Sequence, residues 1–398
     1  MRPIQILFIS PKEDPFTLTY GGSQRTNLLL EACAACGNVD VICFRELSSG
    51  LSMGTNVHVV YGRSLKRIEN EGFHCKKMRA LWRRMRVLFS SWRVGERQEA
   101  DIRKERVIDS IVSQKNYDWI VTRYMSQALT MGLAKYADRL VVDIDDNPVD
   151  VAKDRVKTAE TLHRKLYWQF YVLTMRRKLR AFVDHVAVTF FSNLHQAQEY
   201  NSWFLPNIPF YPVSIQETAP ERIHRGRLLF VGNMSYYPNY LGVDHFLTHV
   251  FPLLNKNKDW EMHICGKDLA EDYLKKWNGI EGVRVLGFVD NLAREYSESE
   301  IVVIPIYHGA GTCIKVLEAM QRHRLVISTP KGVRGYEGFL SPQEDYLLAK
   351  DDSAFVSLLN ESRDNVLLQA KMTEHAASIV EEHYSKSAFF DVVKSALL

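Results

Sequence analysis

The chain lacks any run of about eighteen uncharged apolar residues, so no membrane span is expected. Charge of one sign is also missing. Its 51 Lys and Arg against 47 Asp and Glu leave +4, too little to argue for a nucleic-acid partner. Cysteine is sparse: the residues at 33, 36, 43, 75, 265 and 313 are scattered and mostly lie in apolar segments. They read as reduced, buried thiols of a cytosolic protein. Cys33-Ala-Ala-Cys36 has redox spacing, but it falls late in a predicted helix, whereas a redox pair usually opens one. Internal repeats and low-complexity tracts are absent. The opening MRPIQILFIS has one basic residue and a short apolar run, and reads as a first strand rather than a secretion signal.

What is present is a rhythm. Short β-rich runs are predicted at 4–10, 40–44, 57–61, 119–123, 140–144 and 185–189. A second set is predicted at 228–232, 261–266, 284–288, 301–306, 325–328 and 346–349. Most are continuously apolar, as strands buried on both faces are, and helical patterns separate them. Residues 200–227 hold four of the 13 prolines and interrupt the alternation. The expectation is an α/β protein of two doubly wound, Rossmann-like domains facing an interdomain cleft. They would span 1–203 and 204–383, with a last helix over 384–398 crossing back to the first. Ligands of such sheets bind at the carboxyl ends of the strands.

Candidate site residues follow from those ends. After the first strand, Gly21 and Gly22 precede Ser23 and a helix expected from about Gln24; Arg25 stands in its first turn, where an anion would be received. After the strand at 228–232, Gly232 and Asn233 begin a loop that reaches Pro238 and Asn239. Gly266 and Gly287 end the next two strands, where a base or ribose would lie. The densest signal is YHGAGTCIKVLEAM, residues 307–320. Gly309 and Gly311 are followed by a helix over 314–321, whose residues Ile314, Leu317 and Met320 step along one face. The amides of Thr312, Cys313 and Ile314 then have no intrahelical acceptor, and a diphosphate would satisfy them. Lys315 adds a point charge, and Glu318, one turn on, suits the two hydroxyls of a ribose.

HGAGTCIKVLEAMQRHRLVIST, with Gly332 and Glu337-Gly338 after it, resembles the C-terminal signature of glycosyltransferase family 4, of the GT-B fold. The likeness is to sugar transferases with a GAGT-x-x-K-VLEAM pattern found in exopolysaccharide and envelope glycan clusters. FVGNMSYYPN and VVDIDDNPVD resemble two further motifs of that group, and the likeness is strongest over 228–338. It implies a retaining transferase that moves a sugar from a nucleotide-sugar, its co-substrate, to a glycan or lipid-linked acceptor. It also implies a fold working without metal or other cofactor. Glu318 matches the second glutamate of the family's E-x7-E motif, and Ala310 stands at the first. The catalytic candidates are then Lys315, Glu318 and Arg25. The donor would be held by Gly22, Gly232, Asn233, Gly266, Gly309, Gly311, Thr312, Cys313 and Ile314. Acceptor-side candidates are Arg123, Tyr124, Asp145 and Asp146. Asp143-x-Asp145 also matches the metal-binding DxD of a different transferase fold, the alternative being acceptor contact or helix capping.

Residues 66–106 carry 13 Lys or Arg and 6 Asp or Glu, with Met78, Leu81, Trp82, Met85, Leu88, Phe89 and Trp92 at helical spacing. The 76–93 stretch therefore reads either as an amphipathic helix lying on an anionic membrane or as a helix packed on its domain. A cytoplasmic location, peripheral on the inner membrane face, is the matching expectation. Two other functions stay open: a nucleotide-sugar hydrolase or epimerase, and a non-catalytic binding protein.

Overall fold

The computed structural model describes residues 2–17, 21–47, 55–63, 99–145, 147–209, 223–254, 260–309 and 311–398. Ala310, Asp146, Cys75 and the 76–93 stretch lie outside them. The chain divides into two compact units, Met1–Pro206 with Phe389–Leu398, and Asn207–Ala388.

The first unit contains β1 (Ile4–Ser10), β2 (Gly37–Cys43), β3 (Val57–Gly62), β4 (Trp119–Arg123), β5 (Leu140–Asp145), β6 (Val188–Phe191) and β7 (Trp203–Phe204). They form one sheet in the order β3-β2-β1-β4-β5-β6-β7, with parallel pairing throughout. Between them run α1 (Gly21–Cys36), α2 (Glu99–Val112), α3 (Met125–Thr130), α4 (Pro148–Lys157), α5 (Leu162–Val183) and α6 (Leu194–Glu199). Ile6, Leu7 and Phe8 are fully buried in succession, so both faces of β1 are covered. Helix α4 starts where its residues say it should: Asn147 Oδ1 accepts from Val149 N at 2.8 Å, with Pro148 in the first turn. The strand expected at 185–189 runs instead over Val188–Phe191, because the amides of His185 and Val186 still turn back to Phe182 O at the end of α5. Proline-rich 200–227 also holds a strand that was not expected, the two-residue β7, paired to β6 at Phe190–Trp203.

The second unit contains β8 (His224–Val231), β9 (Glu261–Cys265), β10 (Val283–Gly287), β11 (Ser299–Ile304), β12 (Leu325–Ser328) and β13 (Leu347–Leu348), in the parallel order β10-β9-β8-β11-β12-β13. Its helices are α7 (Tyr237–His245), α8 (Phe251–Leu254), α9 (Glu271–Asn278), α10 (Leu292–Glu298), α11 (Ile314–Gln321), α12 (Asp352–Asp364) and α13 (Val366–His383); α14 (Lys386–Leu397) ends the chain. The loop after β8 ends where α7 begins at Tyr237, with Pro238 in its first turn, and the helix passes into a π-helical turn at Phe246–Val250. Within the first unit, Trp119 Nε1 donates to Leu397 O at 2.9 Å, which ties the end of α14 to β4.

In both sheets the order reverses direction beside the first strand, between β1 and β4 and between β8 and β11. A crevice opens outside the carboxyl ends at such a switch, and both units place their chemistry-bearing residues there.

Candidate functional site

In the second unit the crevice lies between the ends of β8 and β11. β8 delivers Gly232 and Asn233; β11 delivers the loop through Gly309 and Gly311 into α11. Lys315 joins the two sides. Its Nζ donates to Asn239 Oδ1 at 2.7 Å and stands 4.5 Å from the Phe230 ring centroid. Asn239 is fixed in turn by donating from Nδ2 to Asn233 O at 2.7 Å. A side chain at Gly232 would displace this pair: a Cβ there would lie 2.8 Å from Asn239 Nδ2 and 3.0 Å from Lys315 Nζ. Asn239, which the sequence placed only at the end of the loop after β8, is the side chain that holds Lys315.

Gly309 and Gly311 have φ of 102° and 80°, a region L side chains rarely adopt. A second residue beyond the sequence candidates holds them there. Arg334 donates from Nη1 to Gly309 O at 3.0 Å and from Nη2 to Gly311 O. With both carbonyls fastened to one guanidinium, the turn of the loop is set before any ligand arrives. Thr312 Oγ1 accepts from Asn207 Nδ2 at 2.9 Å. Cys313 begins α11 in an extended conformation and supplies no side-chain cap, which leaves the helix N-terminus to an anion or solvent. Arg334→Ala is expected to lower the activity of this site by about a hundredfold while leaving the fold intact, through misplacement of the loop; single-turnover rates and circular dichroism together check it.

Glu318 is half-buried on α11. Tyr296, fully buried, donates its hydroxyl to Glu318 Oε2 at 3.3 Å, and the Arg322 guanidinium stands 4.9 Å from the Tyr296 ring. Burial pushes the Glu318 carboxyl above its usual range, against the pull of Arg322, the Tyr296 hydrogen bond and Lys315. Burial also pushes the Lys315 ammonium below its usual value, opposed by Cys313 and Glu318. Each charge is thus held in a site where it gains by meeting a polar ligand. Gly266 has a packing explanation of its own: a Cβ there would fall 1.8 Å from Gly232 O, so it lets the β8 loop cross the end of β9. The exposed Phe288 follows Gly287 at the end of β10.

The first unit places its candidates differently. Gly22 and Arg25 both lie on α1, which starts at Gly21 rather than near Gln24. Arg25 is not poised for an anion. It is 2% exposed and donates from Nε and Nη2 to the two oxygens of Asp143, both at 2.9 Å. Its remaining donors reach Pro206 O at 2.9 Å and Leu205 O at 3.1 Å. A guanidinium so far inside needs carboxylate partners, and β5 supplies them. Arg123, also buried, donates from Nε to Asp143 Oδ2 at 2.9 Å and from Nη2 to Asp145 Oδ2 at 2.5 Å. From Nη1 it reaches Glu13 Oε2 at 3.0 Å and Gly22 O at 2.6 Å. Asp143 and Asp145 therefore act as counter-charges to two arginines. Tyr124 donates to Glu13 Oε1 at 3.2 Å, and it and Asp145 have φ of 67° and 53°. Glu13, Asp143 and Thr26 carry this network beside Arg123, and their contacts have no signature in the sequence. Burial pushes the thiols of Cys33 and Cys36 up, away from the thiolate that redox exchange needs. Among the described residues no group of His, Cys, Asp and Glu is arranged to hold a metal ion.

The two parallel sheets, each wound around a first-strand switch point, make up the GT-B fold. Residues 225–362 match the family model described as Glycosyl transferases group 1. The chain is 22% identical over 294 residues to an uncharacterised 44.6 kDa protein in the cps region of Klebsiella pneumoniae, covering 70% of this chain and 74% of that protein. Among solved structures it resembles the sucrose-phosphate synthase of Thermosynechococcus elongatus, at 14% identity and a TM-score of 0.67, over 97% of this chain and 96% of that one. It also resembles HepE of Anabaena, solved with UDP and glucose, at 11% identity and a TM-score of 0.62, over 99% of each chain.

Proposed function

We propose that this protein is a retaining glycosyltransferase that moves a sugar from a nucleotide-sugar to a glycan or lipid-linked acceptor in polysaccharide or cell-envelope glycan synthesis. One observation carries the reading most. Lys315, the uncapped start of α11 and Glu318 stand at the switch point of the second sheet, within the segment that matches the group 1 glycosyl transferase model. That set fits a nucleoside diphosphate in order: amides and ammonium for the diphosphate, carboxylate for the ribose. The cps-region relative supports the pathway, and HepE with UDP supports the donor class.

When the anomeric bond breaks, negative charge grows on the departing diphosphate. The α11 amides and Lys315 face that charge and stabilise it without a protein nucleophile or a metal ion. The second unit is the donor-binding one, the first binds the acceptor through the strand ends that carry Arg123, Tyr124 and Asp145, and the enzyme works on the cytoplasmic side. Asp146 and Ala310 lie outside the described residues.

A binding screen against UDP, GDP, ADP and CMP sugars names the donor. Glu318→Ala is expected to weaken that donor about 10- to 100-fold, the value of hydrogen bonds to a charged acceptor. Unchanged donor affinity would remove the ribose assignment. Turnover that survives EDTA is expected, and release of free sugar with no glycoside would replace transfer by hydrolysis.

A further inference from the structure

Helix α5 is apolar on two opposite faces. Met175, Leu179, Phe182 and Val183 are buried in the core of the first unit. Leu162, Leu166, Phe170 and Leu173, spaced by four, four and three residues, form one stripe about half a turn away, and they are 73%, 56%, 45% and 62% exposed. Single exposed apolar side chains are ordinary, whereas three leucines and a phenylalanine in line are the mark of a docking surface. The charge around the stripe says what docks. The helix LHRKLYWQFYVLTMRRKLRAFV has six Lys or Arg and no Asp or Glu. Arg164, Lys165, Arg176, Arg177 and Arg180 are exposed. Of these, Arg176 meets Glu199 at 3.3 Å, while Arg164, Lys165 and Arg177 make no ion pair among the described residues. Tyr167, Trp168 and Tyr171 add a half-buried ring cluster, with Trp168 centroids 5.2 and 5.3 Å from the two tyrosines. Such rings suit the boundary between headgroups and acyl chains.

We propose that this face of α5 rests on an anionic lipid surface, with the leucines and Phe170 entering the acyl boundary and the arginines meeting headgroup phosphates. A second copy is a poor occupant, since a two-fold contact would set the cations of one helix against those of its equal. The proposal does not depend on the glycosyl-transfer reading, and it concerns a different helix from the 76–93 stretch.

The test is sedimentation of the intact chain with vesicles of phosphatidylcholine alone or of equal parts phosphatidylcholine and phosphatidylglycerol. Binding is expected to the second only, and to weaken with salt. Leu166→Glu with Phe170→Glu is expected to abolish the contribution of α5. Arg176→Gln, Arg177→Gln and Arg180→Gln together, the cations that share the side of the stripe, are expected to weaken binding by about a hundredfold. Thermal unfolding of each variant like the parent shows that the exposed changes leave the fold alone. Trp82→Ala, Phe89→Ala and Trp92→Ala, made together, are expected to leave the α5-dependent binding in place. Equal binding by the Leu166/Phe170 variant and the parent overturns the proposal. So does a dimer in solution that this variant dissociates, because the stripe would then be a subunit interface.

Discussion

Asp143→Ala is expected to destabilise the first unit by about 3–5 kcal/mol, because it leaves two buried guanidiniums without their shared carboxylate. Asp143 is fully buried and accepts from Arg25 and from Arg123. Each arginine keeps other partners, but those of Arg25 are two uncharged carbonyls, Pro206 O and Leu205 O, and the more distant Asp145 Oδ1 at 3.7 Å, whose carboxylate Arg123 also uses. Urea unfolding read by far-ultraviolet circular dichroism gives the number; a loss under about 1 kcal/mol means the network is not what holds these strand ends. The same group gives a pH signature. Burial alone would raise the Asp143 pKa, but Arg25 and then Arg123 more than offset it, so the carboxyl titrates below its ordinary range. A depressed carboxyl contributes stability above its unfolded value, about 3.9, and that contribution is lost as pH falls through the lower folded value. Acid unfolding of the parent is therefore expected to steepen below about pH 4, and Asp143→Asn is expected to flatten that limb.

Lys315→Ala is expected to cut turnover by about a hundred- to a thousandfold, the usual loss when one preorganised charge donor is removed from a developing anion. Donor KM should move less, since the charge is largest after the bond begins to break. Lys315→Arg is not expected to rescue. Nζ donates to Asn239 Oδ1 at 2.7 Å and stands 4.5 Å from the Phe230 ring centroid, and a planar guanidinium does not put a compact charge at that point. Gly232→Ala is expected to reproduce part of the defect, because its Cβ would come within 3.0 Å of Nζ and displace it. Burial lowers the Lys315 pKa, so the charged form is lost on the alkaline side earlier than for an exposed lysine. kcat/KM is expected to fall on that limb and donor binding to take up a proton there. An alkaline limb that persists in Lys315→Ala would assign it to another group.

The site proposed for the donor was legible because its signals are local. Gly309, Gly311, Lys315 and Glu318 follow one strand and open one helix, and a short run of chain carries all of them. Asn239, Tyr296 and Arg334 were not assigned there, because each acts on that stretch from another element: α7, α10 and the segment after β12. The first unit shows the other side of the same limit. Arg25 at a glycine-rich helix start has the pattern of an anion-binding group. Its donors go instead to Asp143, which is 118 residues away in the chain.

Backbone periodicity and local turn chemistry alone determined that the chain is α/β, where most strands lie and that a glycine-rich turn opens a helix near 314, since those depend on neighbours a few residues apart. Tertiary structure decided the sheet order and its switch points, the two-residue β7, the burial of Arg25 and Arg123, the residues that brace Lys315 and Glu318, and the second apolar face of α5. Each of these is set by which distant segments share a low-dielectric interior or are left facing out of it, and spacing along one chain does not encode that.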